Sequence, residues 1–380
     1  MQMLKWLFIL FTPYVRPFEW RVDRFFRSVK SGTASTVVQE RLQKLMQRNL
    51  LVLTLWMEKK YKGYSYLTKW QRNRLYGNAE KLLAKFEQFV KSRGGTLGDL
   101  RVNFHPEDRE RLLYISQIMM FLAPGGIYKY IRTTSFGKLL RDPDEQKLEG
   151  DCNQIVTLYA YLYSLRYPLE DLKVKLLPEH VCLHFKGVDI EATTGKFAHY
   201  DQHQILPITE LVSTNLLDLS DFREGAQHIE ERVMVKSAQL AYKISSLKSL
   251  VATNLRIAYK NLAIAALRVK DFDAAIFYFR EAGEGELSKK SKYNAAIWHL
   301  KKEHFAKAKR YAINDKELLK KIEKLEAAKA YNKLVAKVSG VKELSQARKF
   351  RKTYKMMLKL AEKMGDREAV DNIRKTLSKL

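Results

Sequence analysis

Two cysteines, Cys152 and Cys182, are all that the 380 residues contain. A disulfide scaffold is thereby excluded, and so sparse a use of thiol fits a reducing, cytoplasmic setting better than an oxidising one. Also missing is any uninterrupted apolar stretch of membrane-spanning length, which takes about 20 residues. The N-terminal stretch MQMLKWLFILF comes nearest. Lys5 interrupts it, Pro13, Arg16 and Pro17 follow, and no small-residue cleavage site stands behind it. A helix packed on the protein core, or one lying peripherally in a membrane interface, accounts for it better than a signal peptide. No glycine-rich nucleotide loop is present either: Gly125-Gly126 follows Pro124 and marks a turn.

What is abundant is positive charge, a formal +27 that is unevenly spread. Residues 1–240 hold 35 Lys/Arg against 27 Asp/Glu, net +8, whereas 241–380 hold 34 against 15, net +19. A field of that strength attracts an anionic partner, whether nucleic acid, an acidic protein or a membrane surface. A solvated, lysine-rich helical surface has the same composition, and no arginine–aromatic pattern or nucleic-acid motif accompanies the charge.

From Val37 to Arg93 the apolar residues recur at helical spacing. Leu42, Leu45, Met46 and Leu50–Trp56 form one stripe, and Trp70, Leu75, Leu82, Leu83, Phe86 and Phe89 a second. Asn103-Phe-His-Pro-Glu107 opens a third helix that runs through Met120. The character changes over 127–210. An acidic loop from Asp142 to Asp151 enters a helix beginning near Cys152, which Arg166-Tyr-Pro168 ends. Leu172, Val174 and Leu176 alternate with Lys173 and Lys175 as in a half-buried strand. Pro178-Glu179 interrupts, His180–Phe185 predicts a second strand, Lys186-Gly187 a tight turn, and Val188–Ala192 a third strand closed by Thr193-Thr194-Gly195. A helix followed by antiparallel strands is an α+β arrangement.

Beyond Glu230 no strand signal remains. NLAIAALRVKDFDAAIFYFREA over 261–282 is followed by YNAAIWHLKKEHFAKAKRYA over 293–312. Leu262 aligns with Ala295, Phe272 with Phe305 and Ala275 with Ala308, each 33 residues on. That period, with small residues where helices touch, is the signature of tetratricopeptide repeats, and MMLKLAEKMGDREAVDNIRKTL resembles a weaker copy. One hairpin cannot bury its apolar face alone, so hairpins stack. The chain therefore divides into an apolar and basic extension (1–30), a helical preamble (31–126), an α+β core (127–230) and an all-α superhelix (231–380).

Cys152 follows Glu149-Gly150-Asp151 at the predicted start of a helix. Unpaired N–H groups and the positive end of the helix favour thiolate there, and the same N–H groups suit an oxyanion formed on attack at a carbonyl. Asp151 in the capping position works modestly against the thiolate. His180 opens one strand and can take the thiol proton; Glu191, or Asp189 two residues earlier, returns on the next strand and can orient the ring. Asp189 and Glu191 share a sheet face, so alternation does not choose between them.

EGDCNQIVTLYAYLYSLRYPLEDLKVKLLPEHVCLHFKGVDIEATTG, over 149–195, resembles the transglutaminase-like superfamily with its papain-like core, and most closely the SirB1-like bacterial branch that joins this domain to tetratricopeptide repeats. In that family a Gly-x-Cys or Asn-Cys opens the core helix, Pro-Gly-His begins the following strand, and an acidic residue precedes a Thr-Thr-Gly turn. The resemblance implies Cys152 as nucleophile, His180 as base and Glu191 as acidic member, with Asp189 the alternative. Glu179 stands where glycine usually precedes the histidine, and Glu191 where aspartate is commoner.

The resemblance further implies a thiol hydrolase or transamidase acting on peptide or protein amides, or a catalytically inactive scaffold of the same fold, with the repeats binding a protein or peptide. An anionic partner on the basic C-terminal region, nucleic acid or a membrane surface, is a third expectation. No cofactor and no metal are expected. His180 and His184 stand roughly 13 Å apart on an extended strand, too far to share a zinc, and His199 and His203 do not alter that. Cys182 reads as a core residue near the site. Gln146 and Gln154 are candidates for an additional oxyanion donor.

Overall fold

The computed structural model describes residues 11–30, 35–97, 104–133, 135–201, 204–218, 230–341 and 343–380. Most of the N-terminal apolar segment, and His203, lie outside them. The chain divides into two compact units between Ala258 and Tyr259. Helices and a small antiparallel sheet make up the first, and the second is helical, so the fold is α+β followed by a largely helical region. Among the described residues no helix is long and apolar enough to cross a membrane.

The first unit opens with α1 (Pro17–Ser28), α2 (Ser35–Lys60), α3 (Lys69–Ser92) and α4 (Pro106–Phe121). Helix α2 is kinked at Asn49, whose side-chain oxygen accepts the Val52 N–H at 2.9 Å and so caps the second half of the helix. Beyond the kink, Leu50–Met57 is buried on every side, which makes this half of α2 central to the core. Three buried ionisable side chains fix the helices around it. Glu19 of α1 and Arg72 of α3 form a buried pair at 2.8 Å; Glu19 also accepts from the Tyr76 hydroxyl at 2.6 Å, and Arg72 also donates to the Leu67 and Pro13 carbonyls. Glu58 of α2 accepts the backbone N–H groups of Phe136 and Gly137, at 2.5 and 3.0 Å, where the short α5 (Phe136–Leu139) begins. Burial pushes the Glu58 carboxyl up despite Lys62 beside it. A Cβ at Gly137 would stand 2.6 Å from the Tyr66 hydroxyl and 2.9 Å from Leu67 Cδ2, so only glycine fits there.

Strands β1 (Tyr128–Tyr130) and β2 (Leu148–Gly150) pair in parallel and deliver the chain to α6 (Cys152–Ser164). Then come β3 (Lys173–Leu177), β4 (His180–Phe185), β5 (Val188–Glu191), β6 (Lys196–Ala198) and β7 (Gln204–Pro207), an antiparallel sheet in the order β6-β5-β4-β3-β7. The sheet is larger than the three strands the sequence predicts, because β6 and β7 add its two edges. Val174, Val181, Leu183, Phe185, Ile190 and Leu206 line one face and join the core. The other face carries Lys175, Cys182, His184 and Asp189. Alternation reads Lys175 as solvent-facing, yet it is 1% exposed, because Asp189 and the Tyr200 carbonyl satisfy its ammonium.

Helices α7 (Glu210–Leu217), α8 (Glu231–Ile244) and the start of α9 (Lys248–Arg268) complete this unit, and Leu240, Ala241, Ile244 and Val251 belong to its core. Buried Glu210 ties the turn between α8 and α9 in place, accepting the Ser246 N–H at 2.6 Å and the Ser245 hydroxyl at 2.6 Å.

In the second unit α9 leads to α10 (Phe272–Glu281), α11 (Gly285–Lys301), α12 (Phe305–Ala312), α13 (Lys316–Val338), α14 (Leu344–Lys349), α15 (Arg351–Met364) and α16 (Arg367–Lys379). The same left-handed stop closes several of these helices, including the one before Glu284, where Gly283 has φ of 76° and the Glu284 N–H donates to the Phe279 carbonyl at 2.8 Å. Lys270 and Glu303 both adopt left-handed conformations, with φ of 63° and 57°. The next residue in each case, Asp271 or His304, donates its N–H to a carbonyl five residues back, Ala266 or His299, at 2.9 Å. Gly365 and Asp366 repeat the device with φ of 77° and a 3.1 Å bond to Ala361. Ala275, Ala295 and Ala308 are fully buried where helices meet.

Candidate functional site

Asp151 is the N-cap of α6 in a reciprocal capping box: its side chain accepts the Asn153 N–H at 3.0 Å, while the Gln154 side chain accepts the Asp151 N–H at 2.9 Å. This places Cys152 at the first helical position, 8% exposed. Its own backbone N–H has no acceptor among the described residues, in keeping with the unpaired donors of a helix start. Gly150, just before the cap, lies so close to Leu139 that a Cβ would meet its Cδ1 at 2.9 Å.

His180 opens β4 and Glu191 closes β5, so antiparallel pairing brings both to one end of the sheet. The Pro178-Glu179 turn that delivers His180 puts Glu179 at φ 54°, which is the conformation a glycine would take without strain. His180 Nε2 lies 2.7 Å from Glu191 Oε2. The Tyr200 hydroxyl donates to that same oxygen at 3.0 Å, and the Thr193 N–H donates to Glu191 Oε1 at 3.1 Å. The imidazole is pushed up to about 10: hydrogen bonding with Cys152 contributes most, Glu191 next, and partial burial opposes both. Burial works to raise the Glu191 carboxyl, but the bonds from His180 and Thr193 outweigh it and hold it below the usual range. His180 and Glu191 are thus joined directly, and Cys152 is near enough to act on the ring.

Asp189 is engaged elsewhere. Its oxygens take the Lys175 ammonium at 2.5 Å, the Tyr200 N–H at 2.8 Å and His184 Nδ1 at 2.7 Å. The Gly187 N–H donates to His184 Nε2 at 3.2 Å, which leaves Nδ1 as the ring nitrogen that donates to Asp189. Cys182 is fully buried, and burial, reinforced by Asp189 and Glu191, pushes its thiol up to about 12. It remains protonated beside the site. The Gln154 side-chain oxygen is taken by the capping box while its amide N–H donates to Asp218 at 3.5 Å, and Gln146 accepts from Arg141 at 3.4 Å. His199 is exposed beside Asp201, and no group of metal-ligating side chains occurs among the described residues.

Several residues at the site carry no warning in the sequence. Tyr200 lies in a loop without periodicity yet braces both Glu191 and Asp189. Asp218, just past α7, accepts the Asn153 side-chain amide at 3.0 Å and brings a second carboxylate to the start of α6. Burial, with Asp218 adding to it, pushes the Asp151 carboxyl up to about 7. Tyr128, whose hydroxyl donates to the Gly150 carbonyl at 2.8 Å, braces the strand that enters the helix. No family model, no curated protein and no solved structure matches this chain.

Proposed function

We propose that the chain is a thiol acyl-transfer enzyme of transglutaminase-like type, acting on peptide or protein amides. One observation carries this: the His180 imidazole, held by Glu191 at 2.7 Å, is made more basic by a nearby cysteine at a helix N-terminus. Such a ring accepts the thiol proton, and the thiolate sulfur attacks the amide carbonyl carbon. The unpaired Cys152 N–H is a donor for the oxyanion. As the tetrahedral adduct collapses, the C–N bond breaks, His180 returns the proton to the departing amine, and a thioester remains on Cys152. Water or a second amine, deprotonated by His180, then attacks the thioester and regenerates the thiol. The helical unit, tetratricopeptide-like in its 33-residue spacing, would hold a protein or peptide partner, and its positive charge would suit an anionic one. Thiol chemistry of this kind belongs in a reducing, cytoplasmic setting.

A second reading is favoured by the 8% exposure of Cys152: a noncatalytic scaffold in which the three residues only pack. Iodoacetamide labelling with peptide mass spectrometry separates the two. Selective alkylation of Cys152 over Cys182, reduced at least ten-fold in a folded His180→Ala variant, supports catalysis. Labelling that is absent, or indifferent to His180→Ala, leaves the scaffold.

A further inference from the structure

The second unit contains a concavity of about 280 Å³ at the junction of two successive hairpins, where the Lys270-Asp271 turn faces His304 and the end of α11. Its wall is aromatic. His299 stacks on Tyr311 with ring centroids 5.6 Å apart and planes 6° from parallel, while Phe272 and Trp298 stand 5.8 Å apart beside them. At the mouth, Lys270 and Lys307 have no acidic partner among the described residues. The two aspartates of the lining are already committed. Asp271 caps α10 by accepting the Ala274 N–H at 3.1 Å, and Asp273 takes Arg310 at 2.7 Å and the Tyr311 hydroxyl at 2.9 Å.

One feature of the wall is out of place in a merely structural junction. His299 is 7% exposed, and its Nδ1 is buried without any hydrogen-bond partner. An unpaired buried polar atom costs about 1–3 kcal/mol, a cost that a partner reaching this nitrogen would offset. Burial first, then Lys307, His304 and Arg310, lower the basicity of this ring, so it is a neutral imidazole able to donate or accept at Nδ1.

We propose that this concavity is a binding site for a planar aromatic anion of the mononucleotide class. The flat ring lies against the aromatic wall and pairs with His299 Nδ1, and the phosphate is held by Lys270 and Lys307. Each part of that ligand is required by a different part of the site. An uncharged ring leaves the two ammonium groups without a counter-charge. Inorganic phosphate leaves the aromatic wall and Nδ1 uncovered. The volume lies just below the usual range for ligand pockets, about 300–1,000 Å³, and so admits at most one small molecule.

Calorimetric titration of the full chain tests this with the four ribonucleoside 5′-monophosphates, inorganic phosphate, adenosine and a series of oligoadenylates. At least one mononucleotide should bind saturably and at least ten-fold more tightly than phosphate or adenosine. Lys307→Glu, at an exposed position that leaves the helices intact, should weaken binding ten-fold or more, and His299→Phe should do the same. Iodoacetamide labelling of Cys152 should be unchanged in Lys307→Glu, so failure here is distinct from failure of the thiol site. No saturable binding, equal binding of phosphate alone, or indifference to Lys307→Glu overturns the proposal. So does an affinity for oligoadenylate that climbs with length, which marks a groove for a nucleic-acid chain instead.

Discussion

Asp151 and Asp218 grip the same residue from opposite sides, Asp151 through the Asn153 backbone N–H and Asp218 through the Asn153 side-chain amide, each at 3.0 Å. Two carboxylates therefore converge on the first turn of the helix that carries Cys152. Both accept hydrogen bonds there, yet the second negative charge and the burial together raise Asp151 from its ordinary 3.8 to about 7.

That shift sets a pH dependence. The folded state favours the protonated carboxyl, so the stability Asp151 contributes is complete below about pH 4 and is lost as pH rises through 7. The range spans on the order of 4 kcal/mol. Thermal melts of the native chain should lose stability between about pH 4 and 7, and Asp151→Asn, which retains a capping oxygen, should flatten that slope. Removing the charge should also speed Cys152 alkylation at pH 7. A slope unaltered by Asp151→Asn would show that Asp151 does not titrate in this range.

Glu191→Gln addresses the other side of the imidazole. His180 rises from 6.5 to about 10 in the fold, so the stability it contributes is complete below 6.5 and lost as pH climbs through 10. Replacing the carboxylate removes one of the two groups that sustain the charged ring. Alkylation of Cys152 at pH 7 should fall about ten-fold, a loss of roughly 1.4 kcal/mol. The thermal midpoint should move much less than in a variant that breaks the core. Unchanged alkylation kinetics would detach Glu191 from the thiol.

Glu179→Gly tests the turn before His180. A non-glycine residue at φ 54° carries left-handed strain of about 1–2 kcal/mol, which glycine relieves at the expense of greater freedom in the unfolded chain. The net expectation is a stabilisation of about 0.5–1 kcal/mol, read as a higher denaturant midpoint with an unchanged slope. A lower midpoint would mean that the Glu179 side chain contributes more than its backbone costs.

Arg72→Ala leaves the Glu19 carboxylate, 0% exposed, without its cation. Loss of one partner from a buried pair typically costs about 3–5 kcal/mol, whereas apolar replacement of both is far milder. Urea unfolding should show the single variant severely destabilised, and the double variant Glu19→Gln with Arg72→Met recovering part of that loss. Equal destabilisation in both would place the effect in lost packing around Trp56 instead.

The central part of the fold was legible where burial imposes a period. Helix α6 stands out as a long apolar run buried on every side, and strands β3, β4 and β5 because the apolar side chains of each turn to one face that meets the core. Strands β6 and β7 do not: Lys196–Ala198 and Gln204–Pro207 are short edge strands, mostly solvent-exposed, that carry little alternation. Chain order, turn residues and the family resemblance put Glu191 beside His180; alternation alone left Asp189 equally placed, and the structure joins Glu191 to the ring at 2.7 Å. Asp189 is claimed by Lys175, a lysine that alternation assigns to solvent. Buried charge defeats a hydrophobic pattern, as Glu19, Arg72, Glu58 and Glu210 also illustrate. The 33-residue period was readable from Phe272 and Phe305, but nothing in it foretold an unpartnered histidine in a cavity between the hairpins.

The small alanine-centred clusters of the second unit have a thermodynamic consequence. Ala296, Ala308, Ala312, Leu318 and Ile322 form one cluster, and Leu334, Val338, Met357, Ala361 and Ile373 another, each drawn from neighbouring helices alone. Local cores of this size give nearest-neighbour cooperativity, in which fraying can begin at one hairpin and halt at the next. The helix that bears the Cys152 thiol and the sheet that carries His180 share their own, larger apolar cluster. Loss of order in the terminal hairpins is thus energetically separable from loss of the Cys152–His180 geometry, and the chain as a whole need not melt as one body.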